Sequence, residues 1–533
     1  MRVGVGVASL ALLAVIGPRP AEAQYIDARL IRKGALRIDF SPHYTNYDTR
    51  FAFGTAGVTD GIAEPLGTDL TADTVGSNLF PTLAPAEEAI RAITGDATYR
   101  INVGAFNTVR DADVRHFPFG FALGLTDRIT VRANLPIVTT RSQVTFTTDT
   151  TEANVGFNLA APELGNATTV PVAMNLIDEL GTAIADVEAA IAAGNFGCPT
   201  GAACVQAQAT VARAMALRDN LLALTGIGAG REFVPFAPLA SSTAGAAITA
   251  EIAAVAAALQ ALGATPVNSV LALPDARVGP DELNALFTTP GLGFETEPIA
   301  FNRQTKFGDI EIGARFGLVT NPSARVVLTS TIWLPTGKPS SADNFVDIGT
   351  GDGQMDVELG IEAALQPGSS VGVSFGASYT MQLPHDLTRR ITSPDAPLAP
   401  LSRRGVVTRD PGDVIRASAF PTIRLTSEFR VFASVSYYHK SADSFEIVSL
   451  DNQVGQGPAA ELLERETMMT AWHFGGGIAY RSDLTGRVLP IEAGLNYRAA
   501  FSGSGGLTPK TNSMQLYLRL FYDLFLDTPP SGR

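Results

Sequence analysis

Residues 347–365, DIGTGDGQMDVELGIEAAL, admit two readings. The first half sets Gly349, Gly351 and Gly353 around Thr350 and Asp352, in the manner of a loop that cradles phosphate. Such a loop works only where a strand gives way to a helix, because the helix N-terminus must meet the phosphate. Here the glycines lead into Asp356, Val357, Glu358, Leu359, Gly360, Ile361, Glu362 and Ala363, which alternate with the carboxylates on one face. Period two is the signature of a strand, and no Lys-Ser/Thr pair follows the glycines. The nucleotide reading fails. The stretch reads as a tight external loop, with glycine supplying backbone freedom, that leads down into a strand.

The same alternation recurs. Val371, Val373, Phe375, Ala377, Tyr379 and Met381 share one face, and Gly372, Ser374, Gly376, Ser378 and Thr380 share the other. Residues 491–498 set Ile491, Ala493, Leu495 and Tyr497 against Glu492, Gly494, Asn496 and Arg498. In QLYLRLFYDLF (515–525), Leu516, Leu518, Leu520, Tyr522 and Leu524 oppose Gln515, Tyr517, Arg519, Phe521 and Asp523. In a soluble sandwich the apolar face is the core; in an outer-membrane barrel it meets lipid and the polar face lines the lumen. Runs of Gly and Ser on the polar face suit a lumen. Tyr379, Tyr437, Trp472, Tyr480, Tyr497 and Tyr522 suit membrane girdles, although aromatics are common in any sheet.

Connection lengths decide between the two. The short turns LTDR, TNPSA, QPGSS, TSE and SDLTGR alternate without a break with longer connections. The expected strands are a first one near 35–54, then 114–124 with 128–148, 308–319 with 324–335, 354–366 with 369–383, 413–426 with 428–442, 467–482 with 487–503, and 513–525. A sandwich has no reason to keep its long loops at one end, whereas outer-membrane barrels do. The fold class is therefore an all-β membrane protein: a twelve-stranded antiparallel outer-membrane barrel. The insert at about 150–306 differs. Its alanine-rich segments have helical spacing, so one external loop carries a helical subdomain. It either folds into the barrel mouth or projects outward.

The N-terminus, MRVGVGVASLALLAVIGPRPAEAQ, has an early Arg2, an apolar run too short to span a bilayer and an A-x-A site at Ala21–Ala23. It reads as a signal peptide, 1–23; a retained anchor is the alternative. First strands and the long first loop then occupy 24–149, the insert 150–306, the remaining strands 307–525 and a short tail 526–533. No mature segment has enough consecutive apolar residues for a membrane helix, so entry into a membrane requires a closed barrel. The net charge of −13 argues against nucleic acid as a partner. Cys198 and Cys204, between the first two helices of the insert, are expected to form a local disulfide in an oxidising compartment. A metal site there would lack ligands.

The expected lumen residues are Arg132, Asp309, Glu311, Arg315, Asp356, Glu358, Glu362, Arg416, Arg424, His473, Arg481, Glu492, Arg498, Arg519 and Asp523. Both signs occur, and such rings select by charge and shape; packing and pairing across the lumen is the alternative. Asp343, Asp347 and Asp352 raise calcium, but their spacing matches no established calcium loop. The five histidines are scattered and no G-x-S-x-G elbow occurs, so neither catalytic residues nor a cofactor is expected.

FGFALGLTDRITVRANLPIV (119–138), KFGDIEIGARFGLV (306–319) and IWLPTGK (332–338), in that order with the opening stretch, resemble the outer-membrane barrels related to the phenol meta-degradation transporter. Those barrels are loosely similar to FadL-type channels. The resemblance covers most of the barrel and not the insert. It implies a barrel that passes small, often hydrophobic molecules. The expected function is passive uptake of a small, apolar or aromatic solute, gated by the insert. The expected partners are outer-membrane lipid, the small-molecule solute and the barrel-assembly machinery, which reads a terminal aromatic such as Phe525. A closed anchor displaying the helices for adhesion or assembly is the alternative.

Overall fold

The computed structural model describes residues 28–51, 62–366, 368, 370–393, 397–451, 458–482 and 490–524. The expected signal peptide, Phe525, the tail and most of the SDLTGR turn lie outside the described residues.

Twelve antiparallel staves close on themselves. They are β1 (Ala35–Phe40, continued as His43–Tyr47), β2 (Ala105–Thr126), β3 (Ile129–Asp149), β4 (Asn302–Phe307, continued as Ile310–Thr320), β5 (Ala324–Leu334) and β6 (Asp356–Leu365). The rest are β7 (Val371–Gln382), β8 (Val414–Arg424), β9 (Phe429–Lys440), β10 (Met469–Arg481), β11 (Ile491–Ser504) and β12 (Asn512–Asp523). Closure is made by β1, where Ile38 lies opposite Leu520 of β12 on one side and Phe121 of β2 on the other. The expected number of strands and their order are met. The alternation of short and long connections fails at the last pair, where nine residues separate β10 from β11 and seven separate β11 from β12. The opening stretch enters β6, and Glu358 faces Thr331 and Thr380 on its neighbours.

Two staves are interrupted. β1 breaks at Ser41-Pro42, because proline brings no N–H to the ladder, and β4 breaks at Gly308-Asp309. β2 begins well before the expected residue 114. Above Ala112 and Ser142 it and β3 leave the barrel wall and pair chiefly with each other.

The outward face is apolar: Leu359 is 61% exposed, Phe474 58% and Tyr497 53%. This continuous belt of exposed aliphatic and aromatic side chains would be a liability in water and suits hydrocarbon. The inward face carries the charged and small residues.

At the long-loop end a helical domain forms. Its helices are α1 (Ala84–Thr94), α2 (Thr169–Ala192), α3 (Ala202–Thr225), α4 (Thr243–Ala261) and α5 (Pro280–Thr288). Leu176, Leu180 and Val187 of α2 recur at helical spacing and are buried with Leu217 and Leu221 of α3, Ile248 and Val255 of α4, and Phe80 and Ile90 around α1. The same core takes in Phe345 and Leu398 from later connections, so the domain includes part of the first loop as well as the insert. The Cys198–Cys204 disulfide stands at the α2–α3 turn, with Cα atoms 5.1 Å apart. A small sheet of His385–Arg390, Arg404–Asp410 and Ser444–Leu450, in that spatial order, stands above β7–β10. The sequence places these segments in plain loops, because they lack the lipid/lumen alternation of a stave.

Candidate functional site

Strand parity puts one side chain in two inside the barrel. Two arcs of opposite sign result. Asp309 in the break of β4 and Glu311 on β4, with Glu358 and Glu362 on β6, form an acidic side. Arg416 on β8 with Asn496 and Arg498 on β11 form a basic and polar side. Between the arcs lies a cavity of about 220 Å³. Val114, His116 and Pro118 of β2 and Asn134, Pro136 and Val138 of β3 complete its wall.

Most lumen charges are engaged. Arg416 Nη1 lies 3.2 Å from Glu358 and donates to Thr380 Oγ1 at 2.8 Å. Ser378 also donates to Glu358, at 2.9 Å. Arg132 donates to Thr331 Oγ1 at 2.9 Å, and Asn134 to Glu311 at 3.3 Å. Asp309 accepts from the Gly337 N–H at 3.0 Å. Asp356, fully buried, accepts from Gln354 and Gln382. His473 Nε2 lies 3.3 Å from Thr511 Oγ1. Among the described residues no carboxylate is hydrogen-bonded to its ring.

Toward the short-turn end a second network crosses the lumen. Arg519 bridges Asp39 and Glu492, each at 3.4 Å. Arg481 meets Glu492 at 3.2 Å, and Arg37 meets Asp39 at 2.7 Å. Arg315 pairs with Glu362 and donates to the Arg29 carbonyl at 2.9 Å. The chain before β1 thus turns under the barrel, with Ile31 buried against Ala35 and Ala122. Asp523 pairs with Arg32 at this mouth, while Arg424 borders a separate small pocket with Arg430 and Thr422.

At the other end the connection between β5 and β6, residues 335–355, folds over the cavity. The connection lies at the long-loop end and leads into β6, as expected, but it folds inward, so that Gly349, Thr350, Gly351 and Asp352 line the cavity. Thr140 donates to the Ile348 carbonyl at 2.8 Å, Arg110 to that of Val346 at 3.1 Å and Thr350 to that of Phe307 at 3.0 Å. The glycines are there for close approach. A Cβ on Gly351 would sit 2.7 Å from both Asp309 carboxylate oxygens, and Gly353 has φ +79°. The three nearby aspartates serve protein partners: Asp343 takes Arg390 and Arg404, Asp347 takes Asn302, Gln304 and the Ser341 N–H, and Asp352 accepts from the Gln354 N–H.

Arg390 clamps this roof to what lies above it. Its buried guanidinium donates to the carbonyls of Ala342 (3.2 Å), Ala399 (3.0 Å) and Glu295 (3.3 Å) and to Asp343 (2.8 Å). Arg389 reaches Ser340 Oγ at 3.0 Å. A second buried hub is Asp443, which accepts from Arg409 at 2.9 and 2.7 Å and from the Gly412 N–H at 2.9 Å, and pairs with Lys440. Burial works against its charge, but Arg409 and Lys440 outweigh burial and hold its pKa below the usual carboxylate value. No residue of the 150–301 insert lines the cavity; the insert meets the roof from above, through Glu297 to Asn344 at 2.6 Å.

Sequence reasoning missed His43 and His116, whose rings stack across β1 and β2 with centroids 4.4 Å apart, and the inward pair Arg37 and Asp39. Leu36, Ile38 and Phe40, and Phe117, Phe119 and Phe121, alternate clearly enough to have assigned all four.

No family model matches the chain, and no curated protein matches it. Among solved structures it is similar to the COG4313 outer membrane channel from Pseudomonas putida F1, at 8% identity over 94% of this chain and 100% of that one, with a TM-score of 0.41. A Pseudomonas aeruginosa FadL homologue is 9% identical over 92% and 90% of the two chains, with a TM-score of 0.28. The Ralstonia pickettii toluene transporter TbuX is 10% identical over 92% and 90%, with a TM-score of 0.29.

Proposed function

We propose that the protein is an outer-membrane channel for passive uptake of small solutes, with the cavity on its path and the 335–355 roof as its gate. The observation that carries this is a cavity lined by both charged and apolar side chains inside a closed, apolar-coated barrel, with a loop folded over its upper end. A barrel serving only as an anchor needs no cavity. The roof is held by hydrogen bonds and ion pairs together with buried Phe345, Val346 and Ile348, and the helical domain bears on it from above as a brace. Gating by the helices is thus indirect, through Glu297 and Arg390. The lining combines apolar Val114, Pro118, Pro136 and Val138 with charged arcs, which suits small amphipathic molecules.

Liposome swelling tests this. Proteoliposomes carrying residues 24–533 are compared with a variant in which 340–350 is replaced by a short Gly-Ser link, and with one lacking 155–300. Faster swelling in small solutes is expected from the loop variant above all. If every variant is folded and none supports swelling, the barrel is a closed anchor displaying the helices.

A further inference from the structure

We infer that Arg498 makes the lumen cavity a binding site for the carboxylate of a small organic acid. This deepens the channel reading and takes from it that the cavity lies on the solute's path. Three arginines reach the cavity. Arg132 and Arg416 are held by Thr331 and Glu358. Arg498 has only 9% of its surface exposed, its Nη1 is fully buried, and among the described residues that nitrogen has no hydrogen-bond partner. Across the ladder its neighbours are Gly475 and Ser513, and the Ser513 hydroxyl is already shared with Thr45 at 2.9 Å. The charged group acting on it is another cation, Arg416. A buried guanidinium without an anion is costly to keep, and its planar fork matches a carboxylate. The wall formed by Val114, Pro118, Pro136 and Val138 offers an apolar surface for the body of such an acid. The volume, about 220 Å³, admits one small molecule.

Calorimetry on residues 24–533 in detergent micelles tests the site, with benzoate, the isosteric neutral benzamide and inorganic phosphate as probes. Benzoate should bind at least tenfold more tightly than benzamide. In Arg498→Gln the two should come within twofold of each other, and Arg498→Lys, which keeps charge but loses the fork, should fall between. Heat-dependent gel mobility checks that each barrel is folded; should the Gln variant not fold, the Lys variant decides, and equal benzoate affinity there overturns the site. Equal binding of benzoate and benzamide by the unaltered protein also overturns it and leaves Arg498 served by water. Phosphate binding without benzoate binding overturns the organic-acid assignment. Benzoate binding without swelling by the variant whose 340–350 segment is replaced sinks the channel and keeps the site, whereas swelling by that variant without a preference for benzoate sinks only the site.

Discussion

Replacing Arg390 by methionine should release the roof of the cavity. The side chain is completely buried, and methionine of similar length fills most of its volume while removing every donor. Three backbone carbonyls, of Ala342, Ala399 and Glu295, lose their partner. Asp343 keeps Arg404, 3.1 Å away. Hydrogen bonds from a charged donor contribute about 1.5–3 kcal/mol each, but these four share one side chain and do not add. Breaking a buried ionic contact by removing one partner costs about 3–5 kcal/mol, and because Asp343 keeps a cation the lower figure applies. About 3 kcal/mol is roughly a hundredfold in the equilibrium between seated and released loop. Hydrogen–deuterium exchange reads this directly, because the amides of Ser341, Val346 and Thr350 are bonded within the loop. Their exchange should accelerate by about two orders of magnitude, while amides in β6 and β7 stay protected. Unchanged protection of 338–352 in a folded variant would refute the view that Arg390 holds the roof.

Further outcomes follow from the same contacts. Asp443→Asn leaves Arg409 and Lys440 without their anion and should loosen Arg404–Asp410 by about 3 kcal/mol, seen as faster exchange there. The Asp443 pKa lies below its unfolded value, so its stabilisation is full above the unfolded carboxylate pKa and lost as pH falls through the lower folded one. Acidification should therefore speed exchange in the unaltered protein and have a smaller effect in the Asn variant. Removing the disulfide by Cys198→Ser and Cys204→Ser, separated by 6 positions, should weaken the helical domain by about 2 kcal/mol. Its helical dichroism should melt earlier with the barrel melt unmoved. Phe474→Arg, on the outward face, should cost about 2–4 kcal/mol of barrel stability if the residue lies near mid-bilayer, measured by folding titration into vesicles; no loss would place that face away from lipid.

The barrel was legible because its constraint is local. Each stave must turn apolar side chains one way, so Leu516, Leu518 and Leu520 betray their strand without knowledge of any partner. The lumen assignments came from the same parity. What parity does not carry is tertiary choice. Whether Gly349–Asp352 points out or in depends on Thr140, Arg110 and Arg390, which are distant in sequence. Ser444–Leu450 pairs above the rim, where neither lipid nor lumen imposes a pattern. That Arg498 Nη1 finds no partner among the described residues is equally invisible in sequence, since its alternation is identical to that of the paired Arg416.

The most direct measurement is single-channel conductance in planar bilayers, comparing residues 24–533 with the variant whose 340–350 segment is replaced. Gating by the roof predicts a closed or rarely opening unaltered protein and resolved, long-lived steps once the roof is removed. A folded, roofless barrel that passes no current would contradict it.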